Sequence, residues 1–451
     1  MITVGAAVEP LGITSPVPMS GFAARTEPSA GEHDVLGARA LAMDEIVLIA
    51  IDVCALEEGT CRAIAGGVRP EAPEQVIVTA THTHAGPCST PTRLTRCEPE
   101  IEQAIIDAAI AAGASARGSR RSCTMEYRAA HGVGVAFDRR HADRAVDPPV
   151  QMLQFTAVGS GGVPGGAGAG RVVASLLTYP CHPVVLDGTN RLLSGDYVHP
   201  LRERIEAENP GSIAVFATGC AGDINTGHSA EASYSLQGST SRTFAEAHRV
   251  GTRVAEAALA ADPAGVGTAG EGASAADPMG AGTAGADPAS GSRDMGPASL
   301  VTAPVTVAMT RPDAARVAED SAAWTRDLAT AEPGRATLLS LWLDWARAVP
   351  EGADWTGRVS AFRLGDVTVV ALPGEPFLAV AEQISAQVDG PCVVLGYADG
   401  CPGYFPTMGE YPHGGYEVED AHRYYGMPGP FAAGSAEILV EKAVEVCRAL
   451  G

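Results

Sequence analysis

The sequence predicts an α/β protein, with mixed β-sheets and surrounding helices. Three observations carry that expectation. Runs of strand length rich in Val and Ile recur from one end of the chain to the other. Segments with helical periodicity alternate with them. Finally, 46% of the 451 residues are hydrophobic while mean hydropathy is near zero, as expected of a globular chain with a full-sized core.

In chain order, Val4–Pro18 reads as a strand running into a long loop that contains Met19-Ser20-Gly21-Phe22. Ala40–Ala55, broken at Asp44-Glu45, suggests one or two buried strands. Leu56–Gly66 has helical spacing, and Val76–Thr81 is an apolar strand that delivers His82 and His84 into a Gly86-Pro87 turn. Ile101–Ala112 predicts a helix capped by Gly113. Val150–Ala157 and Val172–Tyr179 predict a hairpin across a Gly- and Ala-rich connection, and Ile213–Thr218 a buried strand. Arg242–Ala261 predicts a long helix. Strands resume at Val301–Met309, Val367–Leu372 and Val393–Tyr397.

Residues 263–299 differ, holding Gly, Ala, Pro, Ser and Asp almost exclusively. Such a segment cannot bury enough apolar surface to offset its ordering entropy, so a disordered surface insert is expected there. The organisation expected is one catalytic domain spanning 1–451 with this insert inside it.

A net charge of −22 argues against nucleic acid or an anionic membrane surface, both of which need clustered Lys and Arg. No apolar stretch approaches membrane-spanning length. The N-terminus lacks a basic segment followed by an apolar one, so it reads as the first strand and a cytoplasmic location is expected. The ten cysteines form no CxxC pair, which favours free thiols over a cysteine zinc cluster.

Four places set metal-competent residues where an apolar strand stops: His82 and His84, His182 within Tyr179-Pro180-Cys181-His182-Pro183, Glu375 after Pro373-Gly374, and the stretch Asp399-Gly400-Cys401-Pro402-Gly403-Tyr404. Residues i and i+2 of a strand share a face, so both imidazoles of 82 and 84 can look into one cavity. Strand ends are where α/β folds bind ligands. Each residue also has an ordinary reading. His182 can be a buried structural histidine, Glu375 a helix cap, Tyr404 a core aromatic and Asp223 an Asx-turn. Asp196 reads as structural or as support for His182.

Six segments in one order, spread over 340 residues, resemble the neutral/alkaline (non-lysosomal) ceramidases and their bacterial relatives. They are His-Thr-His-Ala-Gly-Pro at 82–87, Asp138-Arg139-Arg140, His182-Pro183, Gly222-Asp223-Ile224-Asn225, Pro373-Gly374-Glu375, and Tyr404 to Glu417 with Thr407, Glu410, Tyr411 and Tyr416 between. The resemblance implies a ceramidase-type catalytic domain with zinc held by His82, His182, Glu375 and Tyr404. It further implies His84 as proton-transfer or supporting group, Arg139 facing the reacting carbonyl, and Tyr416 donating to a developing oxyanion. Two imidazoles, a carboxylate and a phenolate suit a catalytic zinc, with a position left for water or substrate. The reaction implied is attack on an acyl carbon, amide cleavage first among the cases.

The chain departs from the family at the serine assigned as nucleophile or metal partner. Asn225 stands there, and an amide is no nucleophile. Attack by zinc-activated water is therefore expected. The family's tyrosine three residues before the ligand tyrosine is Cys401 here, and the appended immunoglobulin-like domain is not expected in this chain. A small soluble acylated substrate is expected rather than ceramide. Two further readings stand beside amide hydrolysis: zinc-dependent intramolecular acyl transfer or cyclisation in small-molecule biosynthesis, and a non-catalytic zinc-binding relative.

Overall fold

In the computed structural model two sheets lie face to face, with helices on both outer surfaces. The structure describes residues 1–93, 97–159, 170–229, 236–263 and 297–451. The expected disordered insert at 263–299 falls almost wholly outside the described residues; Ser299 already belongs to a strand.

The large sheet contains β1 (Ile2–Pro10), β2 (Gly37–Met43), β3 (Ile46–Ile51), β4 (Val76–Ala80), β5 (Arg121–Ala130), β6 (Val150–Ala157), β7 (Val172–Thr178) and β8 (Ile213–Phe216), in the order β8-β7-β6-β5-β1-β2-β3-β4. Its outermost pairs, β3 with β4 and β7 with β8, are parallel; the others are antiparallel, including the β6–β7 hairpin expected from the sequence. The smaller sheet runs β9 (Ser299–Ala308), β10 (Asp354–Leu364), β11 (Val367–Ala371) and β12 (Cys392–Leu395), the last pair parallel.

Strands whose every residue is buried read as continuous apolar runs, as parallel strands covered on both sides should: β3 is Ile-Val-Leu-Ile-Ala-Ile and β4 Val-Ile-Val-Thr-Ala. One face of each sheet contributes to a shared core, with Leu41, Leu48, Ile77, Phe155 and Leu176 meeting Phe362, Val369 and Leu395. On the outer faces α1 (Glu58–Val68) and α2 (Pro99–Gly118) cover β1–β4, while α3 (Val198–Glu208) and α4 (Phe244–Ala260) cover β6–β8. Two helices, α5 (Ala314–Leu328) and α6 (Pro333–Arg347), lie between β9 and β10 in sequence. After β11 come α7 (Leu378–Ser385), α8 (Ala421–Tyr424) and α9 (Ser435–Arg448), the last packed on the small sheet.

Gly113 does not end α2, which continues to Gly118. A Cβ at 113 would meet Val68 Cγ1 at 2.8 Å, so the residue is the gap through which α1 and α2 approach each other. All ten cysteines are free. No helix among the described residues is long and apolar enough to cross a membrane.

Buried charge also organises the fold. Arg202 on α3 makes a bidentate ion pair with Asp52 at the end of β3, at 2.8 and 2.9 Å, both side chains about 1% exposed. Asp52 additionally accepts from the Gly37 N–H and the Thr81 hydroxyl, so α3 is tied to the strand end that leads into His82.

Candidate metal centre and its surroundings

The ends of β4, β8, β11 and β12 are sewn together by the segment 395–403. Ala80 N–H donates to Tyr397 O, Tyr397 N–H to Gly374 O, Gly396 N–H to Thr218 O, and Glu375 N–H to Gly403 O. Glu375 and Tyr404 are direct partners in a short parallel pairing. Gly374 makes that turn at φ +70°, and a Cβ there would lie 2.6 Å from Gly403 O.

Three side chains converge at this junction. Glu375 Oε2 lies 3.2 Å from His82 Nε2 and 3.0 Å from His182 Nε2, all three groups essentially without solvent exposure. Each imidazole has its other nitrogen on a backbone carbonyl: His82 Nδ1 on Cys54 O at 2.6 Å, His182 Nδ1 on Ile224 O at 3.0 Å. Those bonds fix the tautomer that leaves both Nε2 lone pairs facing Glu375, the orientation a metal-binding histidine adopts. The Tyr425 hydroxyl donates to the other carboxylate oxygen, Oε1.

The electrostatics agree. Burial disfavours charge on His82, yet the adjoining Glu375 and Cys54 raise its affinity for a proton. The two imidazoles hold Glu375 well below the usual carboxylate range in spite of burial. Burial, with the Arg139 charge, pushes His182 down. His82, His182 and Glu375 together, and Cys54, His82 and His84 as a second overlapping trio, each bring candidate ligand atoms within 4.8 Å of one another. The donor set fits a divalent ion with nitrogen and oxygen preference, zinc among them.

His84 reaches this centre by a route the strand pleat does not explain. β4 ends at Ala80, and His82 adopts φ +65°, so neither histidine lies in the strand. The turn nonetheless sets His84 Nε2 3.2 Å from His82 Nε2. Burial, then the neighbouring His82 and His182, push His84 well below its ordinary value, and it is the least enclosed imidazole of the three at 9% exposure. It is held from behind: Phe22 packs edge-on at 5.2 Å, Arg25 donates to the His84 carbonyl at 2.7 Å, and Gly21 touches its ring so closely that a Cβ would lie 2.6 Å away.

Arg139 lies over the Tyr404 ring, its guanidinium 5.5 Å from the centroid. It also donates to Gly222 O at 2.8 Å and pairs with Glu417 at 2.9 Å. Arg140 spans Glu417 and Glu410, and His141 and Arg144 complete the shell around Glu410. Tyr416 packs edge-on against Tyr404 at 5.8 Å.

The remaining sequence candidates are placed as follows. Asn225 lies beside Ile224, whose carbonyl carries His182, but its side chain is occupied in its own turn: the amide oxygen accepts from Gly227 and His228 N–H, and the amide donates to His228 O. Asp223 accepts from the N–H of Leu378, the first residue of α7. Asp196 accepts from the N–H groups of Val185, Leu186 and Tyr197, and so pins the loop that follows His182. Sequence reasoning gave no role to Glu417, the last residue of its motif, and missed Tyr425 and Tyr397, the latter stacked on His82 at 4.2 Å. Only the unusual density of tyrosines between 397 and 425 hinted at them.

No family model matches the chain, and no curated protein matches it by sequence. Solved structures do. A neutral ceramidase from Pseudomonas aeruginosa superposes with a TM-score of 0.69 at 16% identity, covering 100% of this chain and 74% of that one. A ceramidase complexed with C2 gives 0.68 at 15% identity, covering 100% and 75%. At such identities the likeness is one of fold, and the chain has a ceramidase-like fold.

Proposed function

We propose that this chain is a zinc-dependent hydrolase of an amide bond in a small soluble acylated molecule, with water rather than a side chain as nucleophile. The observation that carries this reading is the convergence of His82 Nε2, His182 Nε2 and one Glu375 oxygen, each imidazole fixed by a backbone carbonyl. Tyr404, paired beside Glu375, is the fourth donor. Zinc supplies Lewis acidity toward a carbonyl oxygen and toward water when bound.

The rest of the chemistry falls to the chain. His84, next to the cluster, takes a proton from attacking water and returns it to the departing nitrogen. Arg139 holds Tyr404 in place and adds positive charge beside the acyl oxygen, and Tyr416 is the donor for that oxygen as it gains charge. The occupied side chain of Asn225 supports direct attack by water over a covalent acyl intermediate. It equally leaves open a substrate amine as the attacking group, the acyl-transfer or cyclisation reading.

The test is metal analysis of purified protein followed by assay on a panel of small N-acylated compounds. One zinc per chain, activity lost on chelation and restored by zinc, and products heavier by one water support hydrolysis. Loss of ammonia, water or alcohol from a single substrate supports cyclisation. Turnover by metal-free protein overturns both.

A further inference from the structure

Three of the four tryptophans in the chain, Trp324, Trp342 and Trp345, sit on the α5–α6 hairpin. They form a small separate apolar core with Leu338 and Leu339, which among the described residues also takes in Ala23 and Tyr424 from outside the hairpin. At its centre lies the guanidinium of Arg423, 4.8 Å from the Trp324 ring, 4.9 Å from Trp342 and 5.7 Å from Trp345. Its side chain is 11% exposed, and Asp420 is its carboxylate partner. Trp345 also donates to Met427 O at 2.8 Å and meets His422 edge-on.

Both contacts lead to the metal centre. Tyr424 precedes Tyr425, whose hydroxyl holds Glu375 Oε1. Ala23 lies between Phe22 and Arg25, the two residues that back His84. α8, which carries Arg423, is the last turn of a short helical segment that begins as a π-turn at Tyr416–Asp420, and the whole is too short to hold its shape unaided. Its conformation is therefore set by what it packs on, and that is the indole cage.

We propose that Arg423 is a positioning residue for this site: seated among three tryptophans, it fixes the turn that carries Tyr425 onto Glu375, and the same cage braces the segment behind His84. This rests on the zinc reading above. Arg423 touches neither substrate nor metal and acts through its neighbours.

The test uses the full zinc-loaded chain and the variants Arg423→Ala, Tyr425→Phe, the double variant, and Arg423→Lys in case the alanine variant folds poorly. Zinc release to a chelator is timed at a temperature where each variant is folded, and amide hydrogen exchange is followed at 20–25 and 421–427. Arg423→Ala should speed release about 10-fold, toward the low end of the range for outer partners of metal ligands, with Arg423→Lys between it and wild type. The double variant should release zinc no faster than Tyr425→Phe alone. Exchange should rise in both segments. Arg335→Ala, an exposed residue 4.9 Å from the Trp342 ring, should leave release unchanged. A lower melting temperature with wild-type release, additive effects in the double variant, or exchange changes confined to the hairpin would overturn the proposal. Wild-type protein that binds no zinc would instead overturn the metal reading, and hydrogen exchange alone would then decide whether the cage braces the two segments.

Discussion

The Tyr425 hydroxyl binds one oxygen of Glu375 while His82 and His182 face the other. A carboxylate divided in this way cannot rotate without breaking a buried hydrogen bond. Tyr425→Phe should therefore weaken zinc binding by about 10- to 100-fold, the usual effect of removing an outer partner of a metal ligand. Competition with a chromogenic chelator measures it.

Removing a ligand should have a larger effect. His82→Ala or Glu375→Ala is expected to abolish stoichiometric zinc and activity together, seen by elemental analysis of the folded protein beside the assay. Chelation of the wild type should also lower its melting temperature, because an ion held by the folded chain alone adds stability, about 4 kcal/mol at 1,000 times the dissociation constant.

Arg202 and Asp52 form a buried bidentate pair. Arg202→Met leaves an uncompensated carboxylate in the interior and should cost about 3–5 kcal/mol. Adding Asp52→Asn should recover part of that loss. Chemical denaturation of the three variants checks both statements.

Asn225 makes three hydrogen bonds within its turn. Asn225→Ala should cost about 1–2 kcal/mol, read as a lower urea midpoint with an unchanged slope.

Burial raises the Asp223 carboxyl from 3.8 to about 7, with Asp138 adding to the effect and the Leu378 N–H opposing it. The folded chain therefore holds this proton more tightly than the unfolded chain does. The resulting stabilisation is full below about pH 4 and is lost as pH rises through 7, a change on the order of a few kcal/mol. Asp223→Asn should flatten that part of the stability curve between pH 4 and 8, measured by denaturation at fixed ionic strength.

Much of the architecture was legible because burial on both faces leaves a local signature. β3, β4, β11 and β12 are buried nearly throughout and apolar but for one threonine each in β4 and β11, and the residues just past β4, β7 and β11 proved to meet at one point. Other elements were hidden because their reasons are distant. β5 is polar along most of its length, and α3 carries an arginine that is buried only because Asp52, 150 residues away, neutralises it. The α5–α6 hairpin resolves around a cation from a third segment. At the centre itself residue types were readable from the chain, while the geometry was not. The sequence offered strand alternation for His82 and His84, whereas the structure uses a left-handed turn, and nothing local announces that Tyr425 would hold Glu375.

Gly21 leaves no clearance between the N-terminal loop and the His84 ring. Any side chain at that codon must displace the imidazole or reroute the loop. A single position, remote in sequence from every metal-binding candidate, thus works as a fingerprint: related chains that keep glycine there can share this arrangement, and those that do not must have solved the problem of seating a third histidine in some other way.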